Sequence, residues 1–185
     1  FAHGGGWISG YRRQPNNVSW YRYLVGKGFI VATIDYSRGY RAGIEKLIDE
    51  LLEAVEYLSK RLKELGIDER ISLMGLSAGA HLALLSASRI PDKIKCVVSY
   101  YAPCDLMDIW KAPSLFARFS VVTTLKRLPG RSKEIYEKYS PINNVSSNFP
   151  PTLLVHGLKD QMVPYTSAVK MFKALSQVGV KVKLL

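Results

Sequence analysis

Ser77 lies in Gly75-Leu76-Ser77-Ala78-Gly79, between an apolar run Ile71 to Met74 that suits a strand and Ala78 to Ser88, which suits a helix. A serine on a strand-to-helix turn this tight needs small neighbours, is left exposed above the sheet, and has backbone amides and the positive end of a helix dipole beside it. That arrangement would let a hydroxyl attack a carbonyl while the developing oxyanion is held. A glycine-rich turn whose serine caps a helix is the other reading of these five residues. His3-Gly4-Gly5-Gly6-Trp7 adds a second feature, because consecutive glycines let backbone approach a ligand and leave N–H groups unshielded. Leu154 to Pro164 adds a third: a buried strand that delivers Asp160 into a loop, second in a Ser, acid, His chain order. Capping the helix near Tyr165 is the alternative role for Asp160.

Holding these residues together requires a sheet. Phe29 to Tyr36, led by Gly28, suits a strand buried on both faces. From Ile44 to Leu65 apolar residues recur at three and four, a helix stopped by Gly66. Cys96 to Tyr101 suits a strand, Thr152 to His156 another after Pro150-Pro151, Tyr165 to Gln177 a helix, and Val180 to Leu185 a last strand. The alternation predicts an α/β fold, a mostly parallel sheet with helices on both faces. Only Asp105 to Asn148 breaks the rhythm, with short helices expected at Phe116 to Leu125 and Ser132 to Tyr139 around Pro129-Gly130. A single domain over 1–185 is expected, with a cap or lid insertion at about 105–148.

Composition narrows the classes. With 48% apolar and 22% charged residues the chain is globular and not disordered. Its formal charge of +11 raises the question of nucleic acid, but the basic residues are spread from Arg12 to Lys183 among acidic ones, without a run or a binding motif. No nucleic-acid partner is expected. Two cysteines and three histidines are too few for a disulfide scaffold or a metal cluster, so free thiols and no metal are expected. No stretch approaches the ~20 apolar residues of a membrane span, and a cytoplasmic location is expected. Phe1-Ala2-His3 reads as the end of a strand and Val180 to Leu185 as a strand with nothing after it, which suggests an internal fragment truncated at its N- and C-termini.

With these motifs the chain resembles the α/β-hydrolase superfamily, specifically the HGGG-bearing esterases related to hormone-sensitive lipase and the acetyl or feruloyl esterase-like carboxylesterases. Ile34-Asp35-Tyr36-Ser37-Arg38, Gly79-Ala80-His81-Leu82-Ala83 and Ser140-Pro141-Ile142 extend the likeness over nearly the whole chain. The resemblance implies that Ser77 is the nucleophile, Asp160 orients the base, and amides of Gly5, Gly6 and Ala78 form the oxyanion hole. His3 would brace the glycine loop, and Trp7 and Tyr11 would line the acyl or alcohol pocket. In those esterases the base follows the last strand, beyond Leu185, and two further strands precede Phe1. His81, one helical turn past Ser77, is expected to be a hydrogen-bonded helix residue, with a stand-in base as the alternative. No cofactor is implied, since serine, base and oxyanion hole suffice for acyl transfer. The activity implied is hydrolysis of small carboxylic esters through an acyl-enzyme. Arylformamidase, a prolyl-oligopeptidase-type peptidase and a non-catalytic hydrolase-fold binding protein are the competing expectations.

Overall fold

The computed structural model describes all residues, 1–185. In chain order its helices are α1 Pro15–Gly26, α2 Gly39–Ala42, α3 Ile44–Glu64, α4 Ala78–Arg89, α5 Leu106–Lys111, α6 Leu115–Leu125, α7 Lys133–Lys138 and α8 Tyr165–Gln177. The strands are β1 Ile71–Leu76, β2 Ile94–Tyr100, β3 Thr152–Val155 and β4 Val182–Leu184, in spatial order β1-β2-β3-β4 and all parallel. Register puts Leu73 beside Val97 and Gly75 beside Ser99, which neighbours Leu154. These residues share one buried face, the strand period being two. Leu73, Val97 and Leu154 pack there with Ala80 and Leu84 of α4 and Met171 and Leu175 of α8. On the other face Trp20 of α1 meets Tyr100 with ring centroids 5.0 Å apart. Helices therefore lie on both sides of a parallel sheet, the α/β-hydrolase arrangement expected.

The α3 stripe does what its spacing predicts: Ile44, Leu47, Ile48, Leu51 and Val55 are buried. Helix α4 is buried almost all round, from Ala78 to Ala87. Its small residues let it sit between sheet and α3 without a polar face. The helices predicted at 116–125 and 132–139 are α6 and α7, within a residue or two at each end. No helix is long and apolar enough to cross a membrane.

Two differences from the sequence reading have clear causes. Phe29 to Tyr36 is not a doubly buried strand: only Ile34 bridges to Ala2, while Phe29 is 59% and Ile30 78% exposed. The Phe1 amine donates to the Ala32 carbonyl at 2.8 Å, and the one bridge of this segment to another is Ile34 to Ala2, too little for a ladder. Helix α1 was not predicted, because its one buried residue is Asn17 and no apolar stripe marks it. Pro15 in its first turn was the available signal.

Candidate active site

Residue 2 joins the glycine loop to the serine turn. Ala2 N–H donates to the Met74 carbonyl at 2.9 Å and its own carbonyl accepts from Leu76 N–H at 3.2 Å, so the loop after it leaves the sheet beside the end of β1. Ser77 has φ 51° and ψ −120°, a conformation L-residues avoid at a cost of about 1–3 kcal/mol. It is pinned there by Ser77 N–H to the Tyr100 carbonyl at 2.9 Å and by its carbonyl accepting from His81 N–H at 3.0 Å. The flanking glycines leave no room for a side chain. A methyl on Gly75 would stand 2.5 Å from Ala80 N, and one on Gly79 would overlap the carbonyl oxygens of Ala2 and His3. Gly79→Ala is therefore expected to lower unfolding free energy by about 1–3 kcal/mol, read as an earlier urea midpoint. An unchanged midpoint would contradict this close approach of loop and helix.

The glycine loop turns through left-handed backbone at Gly5 (φ 128°), Gly6 (φ 58°) and Trp7 (φ 62°). The Gly5 carbonyl is tied back by Ser9 N–H at 2.9 Å and Ser9 Oγ at 2.8 Å. The N–H groups of Gly5 and Gly6 make no hydrogen bond within the protein. Both residues line a cleft of about 90 Å³ with Ser77, walled by Trp7 and Pro103, by Ile109 and Phe116, and by Met162 and Val163. Ala78 opens α4, so its amide belongs to the first turn, which has no partner inside the helix. Trp7 walls the cleft with its ring while its indole N–H goes to His81 Nδ1 at 3.2 Å. Tyr11 does not: it is 51% exposed and outside the cleft wall, because the chain turns at Gly10 (φ 87°) and carries it to the surface.

Each histidine has another engagement. His3 Nδ1 lies 2.7 Å from the Gly4 carbonyl, and the ring stacks on Tyr36, whose hydroxyl donates to the His3 carbonyl at 2.6 Å. It braces the loop, as expected. His81 is fully buried, with Nε2 on the Tyr139 carbonyl at 2.8 Å and Nδ1 accepting from Trp7. That pair of bonds fixes the neutral ring and leaves no nitrogen for Ser77, so His81 is not a stand-in base. His156 Nε2 lies 2.8 Å from the Val163 carbonyl.

Burial pushes the His81 pKa down to about 4 from 6.5, against a raising effect of the Tyr139 carbonyl. A depressed folded-state pKa means that the unfolded chain binds the proton first. Stability is thus complete above about pH 6.5 and is lost as pH falls towards 4, at about 1.4 kcal/mol per pH unit. In His81→Gln, which has no group that titrates in this range, this slope is expected to flatten. His3, also lowered by burial, adds slope to both proteins, so their difference isolates His81. Identical dependence of the urea midpoint on pH in the two proteins would refute the neutral assignment.

Asp160 anchors the loop that brings Met162 and Val163 to the cleft wall. Its Oδ1 accepts from Met162 N–H at 2.8 Å and Val163 N–H at 2.9 Å, while Oδ2 lies 3.6 Å from His156 Nε2. Helix α8 is preceded by Pro164 and has no side-chain cap, so Asp160 holds the 160–163 loop instead of capping that helix. No cluster of ligating side chains is positioned to hold a metal.

A parallel sheet with a strained serine at a strand-to-helix turn and a glycine loop beside it defines an α/β hydrolase. Over residues 1–175 the chain matches the BD-FAE family, and it belongs to that family. It is 25% identical over 203 residues to the isoprenylcysteine alpha-carbonyl methylesterase ICME of Arabidopsis thaliana, covering 100% of this chain and 47% of that protein. To the esterase LipQ of Mycobacterium tuberculosis it is 27% identical over 190 residues, 95% of this chain and 45% of the relative. In structure it is similar to a truncated form of carbohydrate esterase from gut microbiota, with a TM-score of 0.87 at 20% identity over 99% of this chain and 74% of the other. The chain spans about half the length of the curated relatives it matches.

Proposed function

We propose that the protein is a serine carboxylesterase that hydrolyses small esters through an acyl-enzyme, with this chain supplying nucleophile, oxyanion hole and acid. The observation that carries the reading is Ser77, strained and facing a cleft whose Gly5 and Gly6 amides have no internal acceptor. Ser77 gives its hydroxyl proton to the base, which later passes it to the leaving alcohol, as Oγ attacks the ester carbonyl carbon, and the carbonyl oxygen, now anionic, takes hydrogen bonds from the amides of Gly5, Gly6 and Ala78. Collapse expels the alcohol, which takes a proton as it leaves, and water then releases the acid and restores the serine. Asp160 orients the base through Oδ2, the oxygen its loop bonds do not use. The base is an imidazole other than His3, His81 and His156, whose nitrogens are committed or enclosed. The segment 105–148 acts as a cap, since α5 and α6 provide Ile109, Phe116 and Ala117 to the cleft.

The cleft is small beside the roughly 300–1,000 Å³ of sites for drug-sized ligands, which favours a short acyl group. Esterases among the relatives favour this reading over arylformamidase, peptidase or binding protein. Free Cys96 and Cys104 suit a reducing, cytoplasmic setting. Labelling the complete protein with a fluorophosphonate and mapping the modified peptide tests the proposal. The label is expected on Ser77, and a label on any other residue would refute the assignment.

A further inference from the structure

Ser120 lies in the middle of α6, has no exposed surface, and lines the cleft that holds Ser77. Its hydroxyl oxygen is buried without any hydrogen-bond partner. A helical serine normally bonds back to the carbonyl three or four residues earlier. Thr123 in the same helix does so, to the Phe119 carbonyl at 2.8 Å. Ser120 does not, although a buried hydroxyl without a partner carries a desolvation cost with nothing set against it. Thr124 Oγ1 is also unpartnered but is packed against Gly39, away from the cleft. With the indole N–H of Trp7 committed to His81, Ser120 is the one uncommitted side-chain donor in the cleft wall besides Ser77.

Its position relative to the glycine loop is close. A methyl on Gly6 would stand 2.7 Å from Ser120 Oγ and 3.0 Å from the Phe116 ring, so α6 presses on the loop with these two residues, one helical turn apart. If the Gly6 amide holds the carbonyl oxygen, a substrate atom that reaches Ser120 Oγ must sit within a bond or two of the carbonyl carbon. The leaving alcohol has to exit towards solvent. A fully enclosed hydroxyl therefore faces the acid half of the ester, the part that stays on the serine.

Resting on the serine esterase reading, we infer that Ser120 is a specificity-determining residue whose hydroxyl donates to an oxygen on the carbon next to the scissile carbonyl. The cleft is thereby matched to esters of α-alkoxy or α-hydroxy acids over simple alkanoates. Apolar walls from Phe116, Ile109 and Val163 give such an oxygen no other side-chain donor.

Ethyl methoxyacetate and ethyl butanoate have acyl chains that differ by oxygen for methylene, and their kcat/KM ratio in the complete protein reads the contact. Comparing ratios between variants cancels the different intrinsic reactivity of the two esters. In Ser120→Ala the methoxyacetate-to-butanoate ratio is expected to fall about tenfold, whatever change the two esters share. Ser120→Cys, near in size but a weak donor, is expected to follow alanine. Melting temperature and fluorophosphonate labelling of Ser77 are measured alongside, so that a folding defect shows as loss of both. An unchanged ratio with Ser77 still labelled would overturn this inference alone. So would an equal fall on both esters, which would place the hydroxyl on the carbonyl oxygen itself. Absence of labelling and turnover in the unaltered protein would overturn the esterase reading and this inference with it.

Discussion

Ser77→Ala is expected to abolish fluorophosphonate labelling and to lower kcat for p-nitrophenyl acetate by about 10⁶-fold in the complete protein, the scale seen when a protease nucleophile is removed. Residual catalysis of roughly 10³ to 10⁴ over water would persist if the Gly5, Gly6 and Ala78 amides still hold the carbonyl oxygen. The same position makes an opposite prediction for stability. At φ 51° and ψ −120° any side chain is strained, and Ser77→Gly relieves that strain. Ser77→Gly is therefore expected to unfold at higher urea, by about 1 kcal/mol or more, while being as inactive as the alanine variant. A residue kept in a costly conformation that its removal relaxes is the mark of strain retained for chemistry. Unchanged ester turnover in Ser77→Ala would refute the nucleophile assignment, whatever the stability result.

The parts legible in sequence were those in which local sterics decide. Gly75 and Gly79 are readable because the collisions that a methyl would cause are with neighbouring backbone, and the α3 stripe because a helix with one buried face must repeat at three and four. Residues 29–36 differ for a tertiary reason: an apolar β-branched run forms a ladder only where its backbone is paired along its length, and here the pairing is the single bridge of Ile34 to Ala2. Tyr11 follows the loop closely in sequence, but Gly10 redirects the chain, and no composition signal records that turn. That His81 is a hydrogen-bonded helix residue follows from its place one turn after Ser77, but its Trp7 and Tyr139 partners come from distant parts of the chain and are not legible there. Ser120 gave no sign at all. It sits in the apolar run Leu115 to Leu125, and only the folded cleft shows that its hydroxyl has no partner.

Asp160→Asn separates the two roles that one carboxylate could have. The loop role uses Oδ1, which accepts from Met162 and Val163 N–H; an asparagine oxygen can accept the same two bonds. The catalytic role uses the charge on Oδ2, which asparagine replaces with an NH₂ donor. If Asp160 orients and supports a histidine base, Asn imposes the wrong tautomer and removes the compensating charge, so kcat for p-nitrophenyl acetate should fall about 10⁴-fold. The melting temperature should move by no more than about 2–4 °C, the equivalent of roughly 1 kcal/mol in a domain of this size. Asp160→Ala loses both oxygens and is expected to be equally inactive and less stable, because the Met162 and Val163 amides that shape the cleft wall lose their acceptor. A purely structural aspartate gives another pattern: near-normal turnover in Asn, with a stability loss confined to Ala. That result would move the acid role elsewhere. Asp105, which also follows a strand, is a poor replacement, since Oδ1 caps α5 through Met107 N–H at 2.9 Å and Oδ2 is paired with Lys170 at 2.6 Å. Near-normal activity in Asp160→Asn would therefore count against either aspartate as the support of the base.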